Sequence, residues 1–487
     1  MPLIGDRLSI CGTILALIAV ATLTPSFAGA AEQLHRSGSW VVDAEGRIVL
    51  LHGVNAVWKL APYAPPDEPR GFQTADAAWL RDHGLNAVRL GVLFAGVMPS
   101  AGCVDSTYLA QIDRVVQLLA AQGIWVLLDF HQDMYNERFH GEGFPDWAVD
   151  DDGLPHPLDL GFPGNYFTPE CMRTFDNFWA NKNAIWDRCR DAWKAVATKW
   201  KDQPYLMGYD LMNEPWPGTD VPTCANPIGC PLHDALKLQA MQEHVLAGIR
   251  EVDPANVVWF EPNVIFNSGA QSQLGTLRPI APEANLGLSW HDYCLHGGVL
   301  QSVGIENAPL CEQLHRLDFD NAEIVTARIG AAGLVTEFGA TDDLSVLESI
   351  TRLADEYLVG WMYWHYKNWG DPTTVSGETG AQGLFSQDSD LTSLKSGKAD
   401  LLVRPYPQAT AGIPLQLAFD PQTKVFVYRY APRPATAPTE IFVPERHYSN
   451  GFDVTVEGAT VSEQTAQRVL LLNVCGAREV NVVIRPR

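Results

Sequence analysis

Two glutamates, each at the end of an apolar run, could act as a paired acid and nucleophile. Glu214 lies in residues 211–215 (LMNEP) and Glu337 in residues 334–339 (LVTEFG). In both segments a strand-like run ends in a carboxylate, which a turn residue follows. Glycoside hydrolysis needs two carboxylates at the carboxyl ends of barrel strands, because one protonates the departing oxygen and the other attacks the anomeric carbon. We therefore expect the two side chains to converge.

The setting of each glutamate predicts its role. Glu214 is the predicted general acid/base, with a pKa raised by Glu337 and by an enclosed site. Glu337 is the predicted nucleophile, kept ionised by Arg89 and Tyr293. We expect a retaining mechanism and a carboxyl separation of roughly 5–5.5 Å, whereas a separation near 9 Å would contradict it. Glu261 is an alternative nucleophile, although its Glu-Pro setting at strand five favours a supporting role.

Further polar side chains follow other predicted strands, and core packing does not explain them because burying unpaired polar groups costs free energy. The candidates for holding a sugar are Lys59, Arg89, His131, Asp133, Asn213, His291, Tyr293, Trp364, Lys367 and Trp369. Asn213 could bond the sugar 2-hydroxyl, and Trp364 offers a flat apolar face. Lys59, His131 and Asp133 could fix hydroxyls further along the glycone. The alternative for His131 and His291 is a structural role.

A metal site is a rival interpretation for His131, Asp133 and His291. The sequence contains no H-E-x-x-H and no close His/Cys ligand spacing, so we expect no metal and no cofactor. G-x-S-x-G is absent, which argues against a serine esterase. The dinucleotide and P-loop glycine motifs are absent as well.

The elements that must position these residues alternate regularly between about residues 40 and 400. Near-continuous apolar strands, the first from Ile48 to Val54, are followed by amphipathic helices such as those that Thr74 and Asp105 could cap. This alternation predicts a parallel sheet covered by helices. About eight such units favour an α/β fold of the (β/α)8 TIM-barrel type, and an open doubly wound sheet is the alternative.

The rhythm stops at residues 404–407 (RPYP), and short β-type runs separated by Pro and Gly follow. These runs predict a small C-terminal antiparallel β-sandwich over residues 404–487, after a barrel over residues 31–403. The sandwich could bind sugar or lipid, or it could only buttress the barrel.

The first 30 residues have the features of an export signal. Arg7 precedes an apolar stretch at residues 14–22, and residues 28–30 (AGA) offer a cleavage pattern. An uncleaved anchor is the alternative, but the stretch is short for spanning. We expect a secreted monomer without a transmembrane anchor. The lack of an Asn-X-Ser/Thr sequon in a secreted chain of 487 residues favours a bacterial source.

The net charge limits the classes of binding partner, and the number of cysteines indicates the redox state of the compartment. The formal charge of −23 argues against nucleic acid and against electrostatic docking on anionic membranes. Of nine cysteines, cleavage removes Cys11 and leaves an even number, which fits an oxidising destination. The predicted pairs are Cys171–Cys189, Cys224–Cys230, Cys294–Cys311 and, as a guess that would link the domains, Cys103–Cys475. Free thiols are the alternative for the last pair.

Several of these motifs resemble glycoside hydrolase family 5, a retaining (β/α)8 family. The general resemblance is carried by residues 213–215 (NEP), Glu337, Arg89, His291, Tyr293 and Trp364. More specific segments resemble the endoglycoceramidases: residues 51–55 (LHGVN), 129–135 (DFHQDMY), 173–179 (RTFDNFW), 209–215 (YDLMNEP) and 437–444 (APTEIFVP). The similarity runs from about Gly38 to the C-terminus.

The resemblance implies hydrolysis of the β-linkage between oligosaccharide and ceramide in glycosphingolipids, presented in micelles or membranes. It implies acid/base Glu214, nucleophile Glu337 and no cofactor. The first sugar would be held by Lys59, Asp133, Asn213, Tyr293 and Trp364. Residues 291–294 and 364–370 depart from the commoner pattern, so a preference for galactosyl-linked over glucosyl-linked ceramide stays open.

Two other functions stay open at this point. One is a family 5 polysaccharide endoglycanase, such as a β-glucanase or mannanase; the other is a binding barrel without turnover, which both carboxylates disfavour. A ceramide would need an apolar groove. The candidate lid or groove wall is the segment holding Phe139, Phe144, Trp147, Phe162, Tyr166 and Phe167, and self-packing of that loop is the alternative.

Overall fold

Eight parallel strands close into a barrel, as the sequence predicts, and the open sheet is excluded. The computed structural model describes residues 33–280, 283–293, 308–374 and 379–487. Three short strands precede the barrel: β1 (His35–Ser37), β2 (Trp40–Val42) and β3 (Ile48–Val49). The barrel strands pair in chain order and are β4 (His52–Ala56), β5 (Ala87–Gly91), β6 (Trp125–Asp129), β7 (Leu206–Asp210), β8 (Val258–Phe260), β9 (Leu286–Asp292), β10 (Ala332–Phe338) and β11 (Gly360–Tyr363).

Helices follow the barrel strands and bury their apolar faces against them. They are α1 (Thr74–Asp82), α2 (Phe94–Val97), α3 (Ser106–Ala120), α4 (Pro169–Trp179), α5 (Ile185–Trp200), α6 (Val221–Cys224), α7 (Pro231–His233), α8 (Gln239–Arg250), α9 (Ala308–Ile329), α10 (Leu344–Tyr357) and α11 (Ser396–Leu402). Asp105 caps α3 as predicted, since its carboxylate accepts from the backbone N–H groups of Thr107 and Tyr108. The N-cap of α1 is Gln73 instead of Thr74.

Antiparallel strands form the C-terminal part, which confirms the predicted sandwich. They are β12 (Tyr406–Thr410), β13 (Gly412–Asp420), β14 (Val425–Pro432), β15 (Thr439–Phe442), β16 (Phe452–Glu457), β17 (Ala459–Gln464), β18 (Arg468–Asn473) and β19 (Val480–Pro486). The sequence analysis missed β12 and β17. Strand β12 contains Pro407, and a proline argues against a strand because it has no backbone N–H to donate. Strand β17 is a sheet edge whose side chains after Ala459 are exposed and mostly polar, so it has no apolar run.

The N-terminal strands belong to the sandwich and not to the barrel. The order of the larger sheet is β1-β2-β3-β12-β15-β18-β17, and β3 pairs antiparallel with β12. The predicted first strand, Ile48 to Val54, is therefore divided: Ile48–Val49 joins the sandwich and His52–Ala56 starts the barrel. All seven residues are buried, so their burial gives no signal for the change of sheet.

One compact unit, Ala31–Arg487, contains both the barrel and the sandwich. His52 of β4 is stacked between Trp361 of the barrel and Tyr406 of the sandwich, at ring-centroid distances of 4.3 and 3.7 Å. The hydroxyl of Tyr406 donates to the carbonyl oxygen of Gly84 at 2.6 Å. The two predicted domains thus share packed side chains across residue 403.

The predicted Cys224–Cys230 disulfide forms, and Cys311 is disulfide-bonded as well. Cys171 and Cys189 are buried free thiols, because each points from its helix into the barrel core, and that predicted pair is wrong. Cys103 and Cys475 are exposed and free, so they do not link the domains. Cys294, the predicted partner of Cys311, lies outside the described residues, as does the predicted signal peptide. In the part of the chain that the structure describes, no helix has the length and apolarity to cross a membrane.

Candidate active site

The two glutamates meet at the carboxyl end of the barrel. Glu214 comes four residues after the end of β7, and Glu337 is the penultimate residue of β10. One oxygen of each carboxyl and a ring nitrogen of His291 all lie within 4.8 Å of one another. This bound is shorter than the roughly 6.5–9.5 Å between the carboxyls of an inverting pair and agrees with the spacing of a retaining pair.

Glu337 is surrounded by donors. Its Oε1 accepts from Nη1 of Arg89, and its Oε2 accepts from the hydroxyl of Tyr293 at 2.8 Å. Burial raises the pKa of Glu337 above its usual value, and His291 and Arg89 oppose that rise. The carboxylate form is thus stabilised on both oxygens, as expected for a nucleophile.

Glu214 is placed to hold a proton. Burial, followed by the negative charge of Asp133, raises its pKa to about 7. Its Oε1 accepts from Nδ1 of His291 at 2.8 Å and from Nδ2 of Asn267 at 2.9 Å. Burial lowers the pKa of His291 to about 3, so this imidazole is neutral. A carboxyl with a pKa near 7 can give up its proton at neutral pH.

The backbone of Glu214 adopts a left-handed conformation with φ of 42°, which costs a non-glycine residue about 1 kcal/mol. Its N–H donates to Oε1 of Glu261 at 2.9 Å, and this bond helps to hold the unfavourable turn. Glu261 therefore holds the backbone of the acid/base in place, in agreement with the supporting role expected for it.

Arg89 connects Glu337 to carboxylates at the carboxyl ends of β6 and β7. The guanidinium is fully buried and lies 2.9 Å from carboxylate oxygens of Asp129 and Asp210, in addition to its bond with Glu337. Its Nη2 also donates to Oδ1 of Asn213 at 3.0 Å, while Nδ2 of Asn213 donates to the carbonyl oxygen of Gln132. Both ends of the Asn213 amide are therefore oriented beside Glu214.

A second cluster lies beside the pair and contains Lys59, His131, Asp133 and Trp364. Nζ of Lys59 is 2.7 Å from Oδ2 of Asp133 and 4.6 Å from the centre of a Trp364 ring. His131 stacks on Trp364 at 5.2 Å, and its Nδ1 bonds to Asp129 at 2.8 Å. Burial opposes protonation of His131, but Asp129 outweighs it and raises the pKa to about 9. Charged donors and acceptors beside an aromatic face are suited to binding sugar hydroxyls.

The sequence analysis missed three members of this second cluster. Nζ of Lys59 also lies 3.1 Å from Asp371, 3.6 Å from Glu142 and 2.8 Å from the hydroxyl of Thr373. Burial, Lys59 and Asp133 together leave the pKa of Glu142 well above its usual value. These residues lie in irregular segments without strand-end patterns, so only the folded structure brings them together.

The predicted metal alternative is not assembled as proposed. His291 contacts the catalytic pair, whereas His131 and Asp133 lie in the second cluster with Glu142. There the ammonium of Lys59 already supplies a positive charge, since burial opposes its charged form but Asp133, Asp371 and Glu142 outweigh burial and raise the pKa of Lys59 well above its usual value. The donor set around Lys59 is therefore electrostatically balanced without an ion.

Eight of the predicted sugar-binding residues are brought together in these two clusters, and two are not. Lys367 bonds instead to the carbonyl oxygens of Pro69 and Gly71 and to Asp76. The indole N–H of Trp369 donates to the carbonyl oxygen of Arg70 at 2.6 Å. Both side chains hold the segment before α1 against the loop after β11, because their polar atoms are saturated by that segment.

Most of the aromatic segment after β6 packs inward. Phe139, Phe144 and Tyr166 are buried in the core, so for these three rings the self-packing alternative is correct. Phe167 is 54% exposed and contacts the ring of Trp216, two residues after Glu214, at 5.0 Å. Phe167 therefore remains available to an apolar ligand at the rim of the site.

Comparisons with known proteins agree with this geometry. Residues 42–370 match Cellulase (glycosyl hydrolase family 5), and residues 404–484 match the Glycoside hydrolase family 5 C-terminal domain. Endoglycoceramidase I of Rhodococcus hoagii (strain 103S) is 37% identical over 455 residues, which cover 93% of this chain and 88% of that protein.

Two solved structures of Endo-glycoceramidase II from Rhodococcus sp. are also similar, each with a TM-score of 0.75 and 28% identity. The lactosyl-enzyme intermediate covers 92% of this chain and 100% of its own, and the ganglioside GM3 complex covers 93% and 100%. A covalent glycosyl-enzyme is the intermediate of retaining hydrolysis. The chain belongs to glycoside hydrolase family 5 and is a retaining glycoside hydrolase.

Proposed function

We propose that the protein cleaves the β-linkage between oligosaccharide and ceramide in glycosphingolipids and releases both products intact. The observation that carries the proposal is the close pair of Glu214 and Glu337, in a chain that relatives named as endoglycoceramidases match almost from end to end. Glucosyl-linked and galactosyl-linked ceramides are both candidates for the bond that is cut.

In the first step Glu337 attacks the anomeric carbon. The bond from this carbon to the ceramide oxygen breaks, a bond to a Glu337 oxygen forms, and Glu214 gives its proton to the departing oxygen. The contacts of Arg89 and Tyr293 with Glu337 support this division of roles, since they favour its charged form. The pKa of about 7 supports Glu214 as the acid.

In the second step a water replaces ceramide. Glu214, now ionised, removes a proton from the water, whose oxygen bonds to the anomeric carbon and displaces Glu337. Both carboxyls return to their starting protonation states, and the configuration of the anomeric carbon is retained. No cofactor takes part in either step.

The first sugar would rest in the cluster of Lys59, His131, Asp133 and Trp364. Ionised Asp133 accepts from sugar hydroxyls, and the ammonium of Lys59 donates to them. Asn213, which bonds to Arg89, and Tyr293, which bonds to Glu337, lie beside the carboxyl pair, where they could contact the 2-hydroxyl of a bound sugar.

The acyl chains of a bound ceramide would extend out of the site across an apolar rim. Leu158, Leu160 and Phe167, from the segment between β6 and α4, are each more than half exposed. Burial of acyl chains against such surface stabilises binding by about 0.8 kcal/mol per methylene group. Because the net charge is −23, we infer that apolar contact, and not charge, brings the protein to micelles or membranes.

We propose that the protein acts as a monomer outside a bacterial cell. The Cys224–Cys230 disulfide supports an oxidising compartment. Gel filtration of the mature protein would check the oligomeric state.

A product assay tests the proposed reaction. Glucosyl-linked and galactosyl-linked glycosphingolipids would be incubated with the protein beside soluble β-glucan and mannan, and mass spectrometry would follow intact oligosaccharide and ceramide. We expect both products from glycosphingolipid, and the panel would identify the preferred first sugar. Cleavage of glucan or mannan alone would instead make the protein a polysaccharide endoglycanase.

Matched variants assign the two roles. Glu337→Gln should abolish turnover of every substrate, because the nucleophile is lost. Glu214→Gln should abolish turnover of glycolipid but still form the glycosyl-enzyme from a dinitrophenyl glycoside, whose leaving group needs no proton. Full activity of Glu337→Gln on glycolipid would contradict the assignment and would favour Glu261 as the nucleophile.

A further inference from the structure

We propose that Asn267 is a positioning residue for the acid/base. Together with His291, its amide occupies one oxygen of the Glu214 carboxyl, so that the proton to be transferred is carried by the other oxygen. The inference rests on the acid/base role proposed for Glu214. Nothing in the sequence around residues 264–268 (VIFNS) indicates such a role.

The geometry at the carboxyl group is asymmetric. Nδ2 of Asn267 and Nδ1 of His291 both lie within 3 Å of Oε1, at 2.9 and 2.8 Å. Among the described residues, no hydrogen bond reaches Oε2. With the Nδ1–H tautomer of His291, Oε1 accepts two N–H groups and is carbonyl-like, and the acidic proton then resides on Oε2. The Glu214 side chain keeps 15% of its surface exposed, so Oε2 can meet a substrate.

Asn267 is itself held in place. It lies in the 3-10 turn Val264–Ser268, which begins at Asn263, whose Oδ1 accepts from the backbone N–H of Ile265. The Asn267 side chain is buried, so water has little access to compete for its amide. Its orientation is therefore set by the turn before any substrate arrives.

A buried carboxylate braces that turn. Oδ1 of Asp234 accepts from Nδ2 of Asn263 at 2.8 Å, and Oδ2 of Asp234 accepts from the backbone N–H of Gln273 at 2.6 Å. In addition, the N–H of Val264 donates to the carbonyl oxygen of Pro215 at 3.2 Å. The start of the turn is thus fixed and tied to the residue after Glu214, which holds Asn267 beside the carboxyl.

The chemistry of the amide suits this role. An N–H donor stabilises the carboxylate that remains after the proton has left, and so favours proton transfer to the leaving group. An aspartate of the same shape would instead add negative charge beside Glu214 and hold its proton back. An apolar residue would leave Oε1 with His291 as its sole donor from this pair.

The test compares two substrates that share the same sugar. Glycosphingolipid has an alkoxide leaving group that needs a proton, whereas the dinitrophenyl glycoside does not. For Asn267→Ala we expect kcat/KM to fall roughly 30-fold on glycolipid, the size of one hydrogen bond to a charged group, and by less than about threefold on the dinitrophenyl glycoside. The alkaline limb of kcat/KM should move to higher pH, since removing the donor raises the pKa of Glu214.

Asn267→Asp, which keeps the size of the side chain, should give the same selectivity with a larger alkaline shift, and it serves as the test if the alanine variant does not fold. Ser268→Ala, an exposed neighbour in the same turn, should match the unmodified protein on both substrates. Equal losses on both substrates, or an unmoved alkaline limb, would overturn the inference. If Glu214→Gln itself retained glycolipid turnover, the proposed function would fail instead.

Discussion

Glu214 and Glu337 have the same side chain but opposite protonation tasks, and their neighbours explain the difference. Glu337 receives a guanidinium and a phenol hydroxyl, which favour the anion. Glu214 receives two neutral N–H donors on one oxygen only. Four carboxyls lie around the single charge of Arg89, so they cannot all be ionised at low cost. A proton on Glu214 relieves the excess negative charge nearby.

This balance predicts the pH dependence of activity. The acid must be protonated for the first step, and burial together with Asp133 raises the pKa of Glu214 to about 7. We therefore expect kcat/KM on glycolipid to fall tenfold per pH unit above about 7. A pH-rate profile measures the limb. An alkaline limb near pH 5 would contradict this assignment, and the limb should vanish for Glu214→Gln on a dinitrophenyl glycoside.

The cluster around Lys59 predicts contrasting effects of two amide substitutions. Burial raises the pKa of Glu142 well above its usual value and so favours its neutral form, and Glu142→Gln should therefore keep kcat/KM within about threefold. Burial opposes ionisation of Asp133, but Lys59 outweighs it and lowers the pKa of Asp133. Asp133→Asn should therefore reduce kcat/KM about 100-fold, as loss of charged hydrogen bonds does. Equal losses from the two variants would contradict this division of charge.

How far the site could be predicted from sequence depended on where each residue lies. Glu214 and Glu337 end apolar runs, so strand periodicity alone pointed to both of them. Glu142, Thr373 and Asn267 lie in irregular segments, whose conformation depends on tertiary contacts that no local pattern encodes. Lys367 was misplaced because its position after β11 says nothing about the direction of a long side chain.

At the scale of elements, the barrel strands were predicted well because each is a short apolar run between turn signals. The exception is the run from Ile48 to Val54, which changes sheet while it stays buried throughout. The cysteines show the same limit, since Cys171 and Cys189 lie on neighbouring helices yet remain free. Burial in a common core brings residues near one another but does not supply disulfide geometry.

The Cys224–Cys230 disulfide offers a prediction at this scale. Sγ of Cys230 lies 3.8 Å from Asp234 and 3.6 Å from Asn263, so the bridge supports the brace of the Asn267 turn. Replacing both cysteines by serine should destabilise the protein by about 2 kcal/mol, from the entropy of so short a loop. Urea unfolding measures the loss of stability. The control is Cys103→Ser, which replaces an exposed free thiol. A double variant as stable as that control would contradict the prediction.

At the scale of the whole molecule, the sandwich and the barrel are joined by β3, by the stack on His52 and by the loop after α1. The last contact is close, since a Cβ added to Gly84 would meet a ring carbon of Phe442 at 2.3 Å. A glycine is required there for two reasons, the contact and a φ of +71°. We therefore infer that the two parts unfold together.

Comparing two glycines tests that inference. Gly84 and Gly123 have φ of +71° and +70°, so alanine adds about 1 kcal/mol of backbone strain at either position. Only at Gly84 would the methyl group also press on the sandwich, because the nearest atom to a Cβ at Gly123 is 3.5 Å away. Gly84→Ala should therefore lose at least about 2 kcal/mol more than Gly123→Ala in urea unfolding. Of the 15 tryptophans only Trp40, in β2, lies in a strand of the sandwich, so fluorescence mainly follows the barrel while circular dichroism follows both parts. Coincident transitions in both signals are expected; separate transitions, or equal losses from the two variants, would mean that the sandwich is an independent neighbour of the barrel.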